Sequence, residues 1–93
     1  MLGTCKAFGE IDTATAPAFT ADLRDAIDNA DDALVSVDCS AVTFMDSAAH
    51  WALVDATNYA ARRGRTLVIR NLSRPCATVI RLCDMDHELH VEP

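Results

Sequence analysis

The sequence predicts an α/β domain: a largely parallel sheet of about four strands with three helices. Two observations carry this. Short apolar, β-branched segments alternate with segments whose apolar residues recur at helical spacing. The connections between them are short, which favours a layered sheet with crossover helices. No repeat, linker or low-complexity tract interrupts the 93 residues, so a single domain over 1–93 is expected. A chain of this size buries somewhat over ~60% of its unfolded surface. With 51% hydrophobic residues it has the material for one core.

Residues 4–9 read as a weak strand. Asp12 and Thr13 then offer capping oxygens, with Thr15 as another candidate, and Pro17 suits a first helical turn where no amide donor is needed. Phe19, Leu23 and Ile27 recur every four residues, so this helix buries one stripe before ending near Asn29. "ALVSVD", 33–38, reads as a buried strand. After a bend at Cys39-Ser40, Val42 and Phe44 are expected to continue inward.

A second helix is predicted from Ser47 to about Arg63, with Gly64 as its C-terminal cap. "RTLVIR", 65–70, is the next strand. Asn71 and Ser73 turn the chain, Ser73 caps a third helix, and Pro75 fits its first turn. Cys76, Val79, Ile80 and Cys83 form the inner face of that helix, and "ELHV", 88–91, is the last strand.

The formal net charge of -6 argues against nucleic-acid binding, which needs basic side chains to displace counterions. The one basic cluster, Arg62, Arg63 and Arg65, is expected to complement a helix dipole and stay solvated. No apolar run approaches the roughly 20 residues of a membrane span, and the first residues lack a secretory pattern. A cytoplasmic location with reduced thiols is therefore expected. The spacing of Cys5, Cys39, Cys76 and Cys83 matches no zinc pattern. His87 and His90, three apart on a strand, would face opposite sides. Neither metal nor cofactor is expected.

The junction "VTFMDSAAHWALV", 42–54, is the most informative stretch. Ser47 stands where a strand gives way to a helix, and the free amides of a helix start favour an anion. A phosphate on Ser47 would add about -1.5 to -2 charge beside Asp46. That would repel a partner docked there. The plain alternative is an ordinary helix cap. Counting along the helix puts Ser47, Trp51, Asp55, Asn58 and Arg62 on a polar face, opposite Ala49, Leu53, Ala56 and Ala60. Trp51 is then either an exposed anchor for a partner or covered by a neighbouring loop. His50 is expected to be exposed on the same side as Ser47. Asp46, Ser47 and His50 do not make a catalytic triad, because no glycine-rich elbow or oxyanion donors accompany the serine. No enzyme activity is expected.

"GEIDTATAP", "VSVDCSAVTFMDSAAH", "RGRTLVIRNLS" and "VIRLCDMDHELHV" occur in the order and spacing of the STAS domain. The chain resembles that family, the fold of bacterial anti-sigma factor antagonists, over nearly its whole length. The resemblance implies that Ser47 is the phosphoacceptor for a serine kinase that is itself the anti-sigma factor, and that a phosphatase reverses the modification. Asp46-Ser47 match the first two positions of the family pattern D-S-[ST]-G-[LI]-G, and Asp12 matches its acidic turn beside the phosphosite. Ala48, Ala49, His50 and Trp51 replace the remaining four. The implied partner-binding set is Asp12, Thr13, Asp46, Ser47, His50 and Trp51.

Measured against the family, the chain is shortened at both ends. A missing edge strand would leave a template for self-pairing, so a homodimer is expected. Two functions follow: an anti-sigma factor antagonist acting as an interaction switch, or a non-phosphorylated scaffold subunit of a transporter or stress-signalling complex. A redox sensor built on Cys76 or Cys83 is a weaker third reading.

Overall fold

The computed structural model describes residues 3–92. Among these, the order is β1 (Gly3–Ile11), α1 (Ala16–Asp28), β2 (Leu34–Met45), α2 (Ser47–Arg62), β3 (Thr66–Arg70), α3 (Arg74–Cys83) and β4 (His90–Val91). The four strands lie side by side in chain order, and each pair is parallel. In such a sheet every connection is a crossover, and the right-handed preference puts all three crossover helices on one face. The burial agrees. Ala7, Ile11, Val35, Val37, Cys39, Leu67 and Ile69 are buried in one core with the helices, whereas Thr4, Lys6, Phe8 and Glu10 on the other side of β1 are exposed.

The predicted helices form as expected. Phe19, Leu23 and Ile27 are buried on α1. On α2 the buried arc includes Ala49, Leu53, Ala56 and Ala60. The small residues let α2 lie close to the sheet. Gly64 takes φ 70 just beyond α2, a conformation that favours glycine at a helix C-terminus. Ser73 caps α3, accepting from Cys76 N at 3.4 Å, and Cys76 and Ile80 are buried beneath that helix.

Several expectations need correction. β1 runs over nine residues and is a full strand; its parallel pairing with β2 supplies what weak local propensity lacks. β2 does not bend and restart; it is continuous over twelve residues. Phe44 points outward and is 47% exposed. The cause is a pair of bulges. Between Lys6 and Phe8 on β1, and again between Gly9 and Glu10, β2 carries one residue more than its partner. Each extra residue reverses the alternation of side chains. The inward sequence becomes Val35, Val37, Cys39, then Val42, then Met45.

Thr13 supplies no cap. Instead the Asp12 carboxylate accepts from the amides of Ala14 and Thr15 at 2.9 and 3.0 Å. The last strand is shorter than expected, with Glu88 and Leu89 outside it.

The basic cluster is less solvated than expected. Arg63 stacks over Tyr59, 3.6 Å from the ring centroid, and its Nε meets Asp28 at 3.1 Å. Arg65 donates to the carbonyls of Ile27 and Ala30, and so neutralises the negative end of α1. Arg24 and Asp55, 2.8 Å apart, make a further α1–α2 link.

Candidate functional site

The carboxyl ends of parallel strands, where loops lead into helix starts, are the usual place for a site in such a sheet. Here β1 and β2 end together. Ile11 is paired with Met45, and the amide of Asp46 donates to the Ile11 carbonyl at 3.3 Å. That register sets Asp12, leaving β1, beside Asp46, leaving β2. Asp12 and Asp46 are half-buried, while Thr13 and Ser47 are exposed. The structure therefore brings together Asp12, Thr13, Asp46 and Ser47 on one end of the molecule.

Asp46 is the N-cap of α2. Its backbone is extended, and its Oδ1 accepts from Ala48 N at 2.9 Å and Ala49 N at 3.4 Å. Ser47 is the first helical residue, with its hydroxyl on the surface. The cap consequently belongs to Asp46. Ser47 has no structural duty that modification would destroy, but two of the amides at the helix tip are already taken. A phosphate on Ser47 would lie beside the Asp46 carboxylate rather than in an empty amide cradle.

Trp51 lies one turn further along α2 and is 60% exposed; no loop covers it. It meets His50 edge to face, with ring centroids 5.1 Å apart. His50 itself is not exposed, contrary to the sequence reading: only 1% of its surface is accessible. Three residues rotate a helix by roughly 300°, which turns His50 from the side of Ser47 toward the end of α3. There its Nε2 lies 3.4 Å from Asp84 Oδ1, and its Nδ1 is buried without a hydrogen-bond partner among the described residues.

Sequence reasoning missed Asp84. Its buried carboxylate faces His50 and also accepts from Glu88 N at 3.1 Å and Leu89 N at 3.3 Å. One side chain thus fixes the start of α2, the end of α3 and the turn before β4. A signal existed: an acid at a helix C-terminus opposes the dipole and needs other partners to hold it. Leu82 and Met85, on either side of Asp84 in the chain, are 69% and 80% exposed.

The cysteines form no metal site; among the described residues no group of three or more His, Cys, Asp or Glu is placed to hold an ion. Cys39 and Cys76 are buried together, with Cys76 Sγ 4.0 Å from the Cys39 carbonyl. The neighbouring Cys76 thiol, aided by burial, pushes Cys39 up. The same pairing, with the Ser73 cap, holds Cys76 below the ordinary thiol value. Cys5 and Cys83 are half-buried. His87 has φ 52 in a turn, and only His90 is on the strand. No helix among the described residues is long and apolar enough to cross a membrane.

Comparison with known proteins places this geometry. The family model described as "Mlab, STAS domain" matches residues 4–92. Among solved structures, the unphosphorylated form of the anti-sigma factor antagonist SpoIIAA superposes with a TM-score of 0.73 at 16% identity, covering 97% of this chain and 78% of that one. No curated protein matches in sequence.

Proposed function

The chain belongs to the STAS domain family, and on that premise we propose that it is a protein-interaction switch of the anti-sigma factor antagonist kind. In this reading a serine kinase, itself the anti-sigma factor, docks on the end of the molecule formed by Asp12, Thr13, Asp46, Ser47 and Trp51. It transfers the γ-phosphoryl group of ATP to Ser47 Oγ, breaking the bond to the β-phosphate and leaving ADP, while the hydroxyl proton passes to a base of the kinase; the kinase is then released. A phosphatase restores the hydroxyl. The chain contributes the acceptor and the docking surface, not the catalysis.

The observation that carries the proposal is the position of Ser47. Its hydroxyl is exposed at the first residue of α2, while the neighbouring Asp46 performs the capping. Modification would therefore leave the cap in place. Two adjacent acidic groups would then repel whatever had docked there. The test is a pulldown comparing wild type, Ser47→Ala and Ser47→Glu. A partner kept by Ser47→Ala and lost by Ser47→Glu supports the switch; a partner kept equally by both rejects it.

A second reading is favoured by the residues that follow Ser47. With the pattern's glycines replaced by Ala49 and Trp51, and Trp51 60% exposed, the surface is bulkier and suits a permanent contact. The protein would then be a non-phosphorylated scaffold subunit of a transporter or stress-signalling complex. Mass spectrometry after incubation with cognate kinases separates the two: phosphate on Ser47 rejects the scaffold, and an unmodified Ser47 rejects the switch.

A further inference from the structure

β1 is an edge of the sheet, and among the described residues no strand lies beyond it. Its outer backbone groups form a row of donors and acceptors, of which the Glu10 carbonyl already accepts from Thr15 Oγ1 at 3.1 Å and keeps its second lone pair. Beside this edge runs a groove of about 390 Å³ between β1 and α1. Ala7, Ile11, Ala18 and Phe19 give it an apolar lining, and Glu10 and Asp22 are polar members. An added strand has room along it.

The side chains of β1 say which strand. On the face away from the helices, Thr4, Lys6, Phe8 and Glu10 are exposed in strict alternation, and Phe8 is 73% exposed. Lys6 and Glu10 are placed symmetrically about Phe8, with opposite charge. We propose that β1 pairs antiparallel with β1 of a second copy about a two-fold axis at Phe8. Phe8 then faces its own equivalent, and each Lys6 lies opposite the partner copy's Glu10. Directly opposed unlike charges and aromatic pairs are the contacts that stabilise an antiparallel pair. Centring on Lys6 would oppose two lysines, so charge selects the register. The axis is perpendicular to the sheet, so the helices of both copies stay on one side and the two sheets merge into one of eight strands.

Gly9, at φ 73, interrupts the regular backbone between Phe8 and Glu10. The Phe8 contact and two ion pairs, more than a long ladder, hold the dimer, which is accordingly weak and concentration-dependent. This inference goes beyond the switch and is independent of Ser47, because its assay contains no kinase.

The test needs no ligand: the full chain is followed by light scattering over a concentration series, alongside Lys6→Glu, Glu10→Lys, the double exchange K6E/E10K, and an equimolar mixture of the two single variants. All changes are at exposed positions, and circular dichroism confirms folding. The wild type should move toward dimer mass as concentration rises. Each single variant should self-associate about tenfold more weakly. The double exchange and the mixture should recover association, because both restore unlike pairs. A monomer mass for the wild type at every concentration overturns the proposal. So does a dimer indifferent to both single reversals, or a mixture no better than its components.

Discussion

His50 Nε2 and Asp84 Oδ1 lie 3.4 Å apart in the interior, joining the first turn of α2 to the end of α3. Through this contact the turn that carries Ser47 is anchored to the segment leading into β4. The exposed surface therefore stands on a buried polar support, and the two parts answer to different substitutions.

Replacing Asp84 by Ala should be severe. It strips the acceptor from His50, Glu88 N and Leu89 N at once. Each buried donor left without a partner costs ~1–3 kcal/mol, so a loss of at least about 2 kcal/mol is expected. His50→Ala should also destabilise, and the double variant should fall short of the sum by ~0.5–3 kcal/mol because the residues touch. Urea unfolding of the three variants measures this; strict additivity would mean the contact contributes nothing.

Asp46 and Ser47 are neighbours in sequence with unequal structural roles. Asp46→Ala removes the cap of α2 and should cost ~1 kcal/mol. Ser47→Ala should stay within about 0.5 kcal/mol of wild type. Thermal melts of both variants decide between these roles; a larger loss for Ser47→Ala would show that its hydroxyl supports the helix after all.

Tyr59 is the single tyrosine of the chain, and its hydroxyl donates to Asp28 at 2.9 Å. Burial, reinforced by that bond, raises its pKa above the ordinary 10.0. The folded state thus favours the neutral phenol. Its contribution is complete below the unfolded value and is lost as pH rises through the folded one. Absorbance near 295 nm should report a midpoint above that of the urea-unfolded chain. Tyr59→Phe should remove this component of alkaline destabilisation.

Trp51 is the only tryptophan and is 60% exposed. Its emission should be red-shifted and readily quenched by acrylamide. Trp51→Ala should leave stability within about 0.5 kcal/mol while weakening the captured partner, as expected of an aromatic anchor. A blue-shifted emission maximum in the free protein would contradict the exposed placement.

The order of elements was legible because the helices carry apolar residues at helical spacing and β2 and β3 carry β-branched runs, whereas β1, GTCKAFGEI, shows only a weak strand signal of its own. Phe19, Leu23 and Ile27 stood out by spacing alone, and Gly64 by the end of a stripe. Local periodicity failed where the phase depends on a neighbour. The bulges opposite Lys6–Phe8 and Gly9–Glu10 exist only relative to β1, so Phe44 was assigned to the wrong face. His50 was misplaced because what covers it, the end of α3, is 34 residues away in the chain. At the candidate site, Asp46 and Ser47 could be read from one helix start; Trp51 could be placed on the polar face, but its exposure was settled only by the structure. Asp84 offered only the signal of an acid at a helix C-terminus; its partners could not be named, since they gather only once three elements have packed.

The two bulges of β2 are separate one-residue insertions, and this bears on how the gene segment for residues 38–45 can change. Each lets β2 use one residue more than β1 while Met45 still meets Ile11. Losing the one codon that makes a bulge would restore strict alternation there, with Met45 still inward and α2 still starting from the same end. Losing a codon from the regularly paired stretch, residues 35–38, has no such slack and would turn the rest of the strand over.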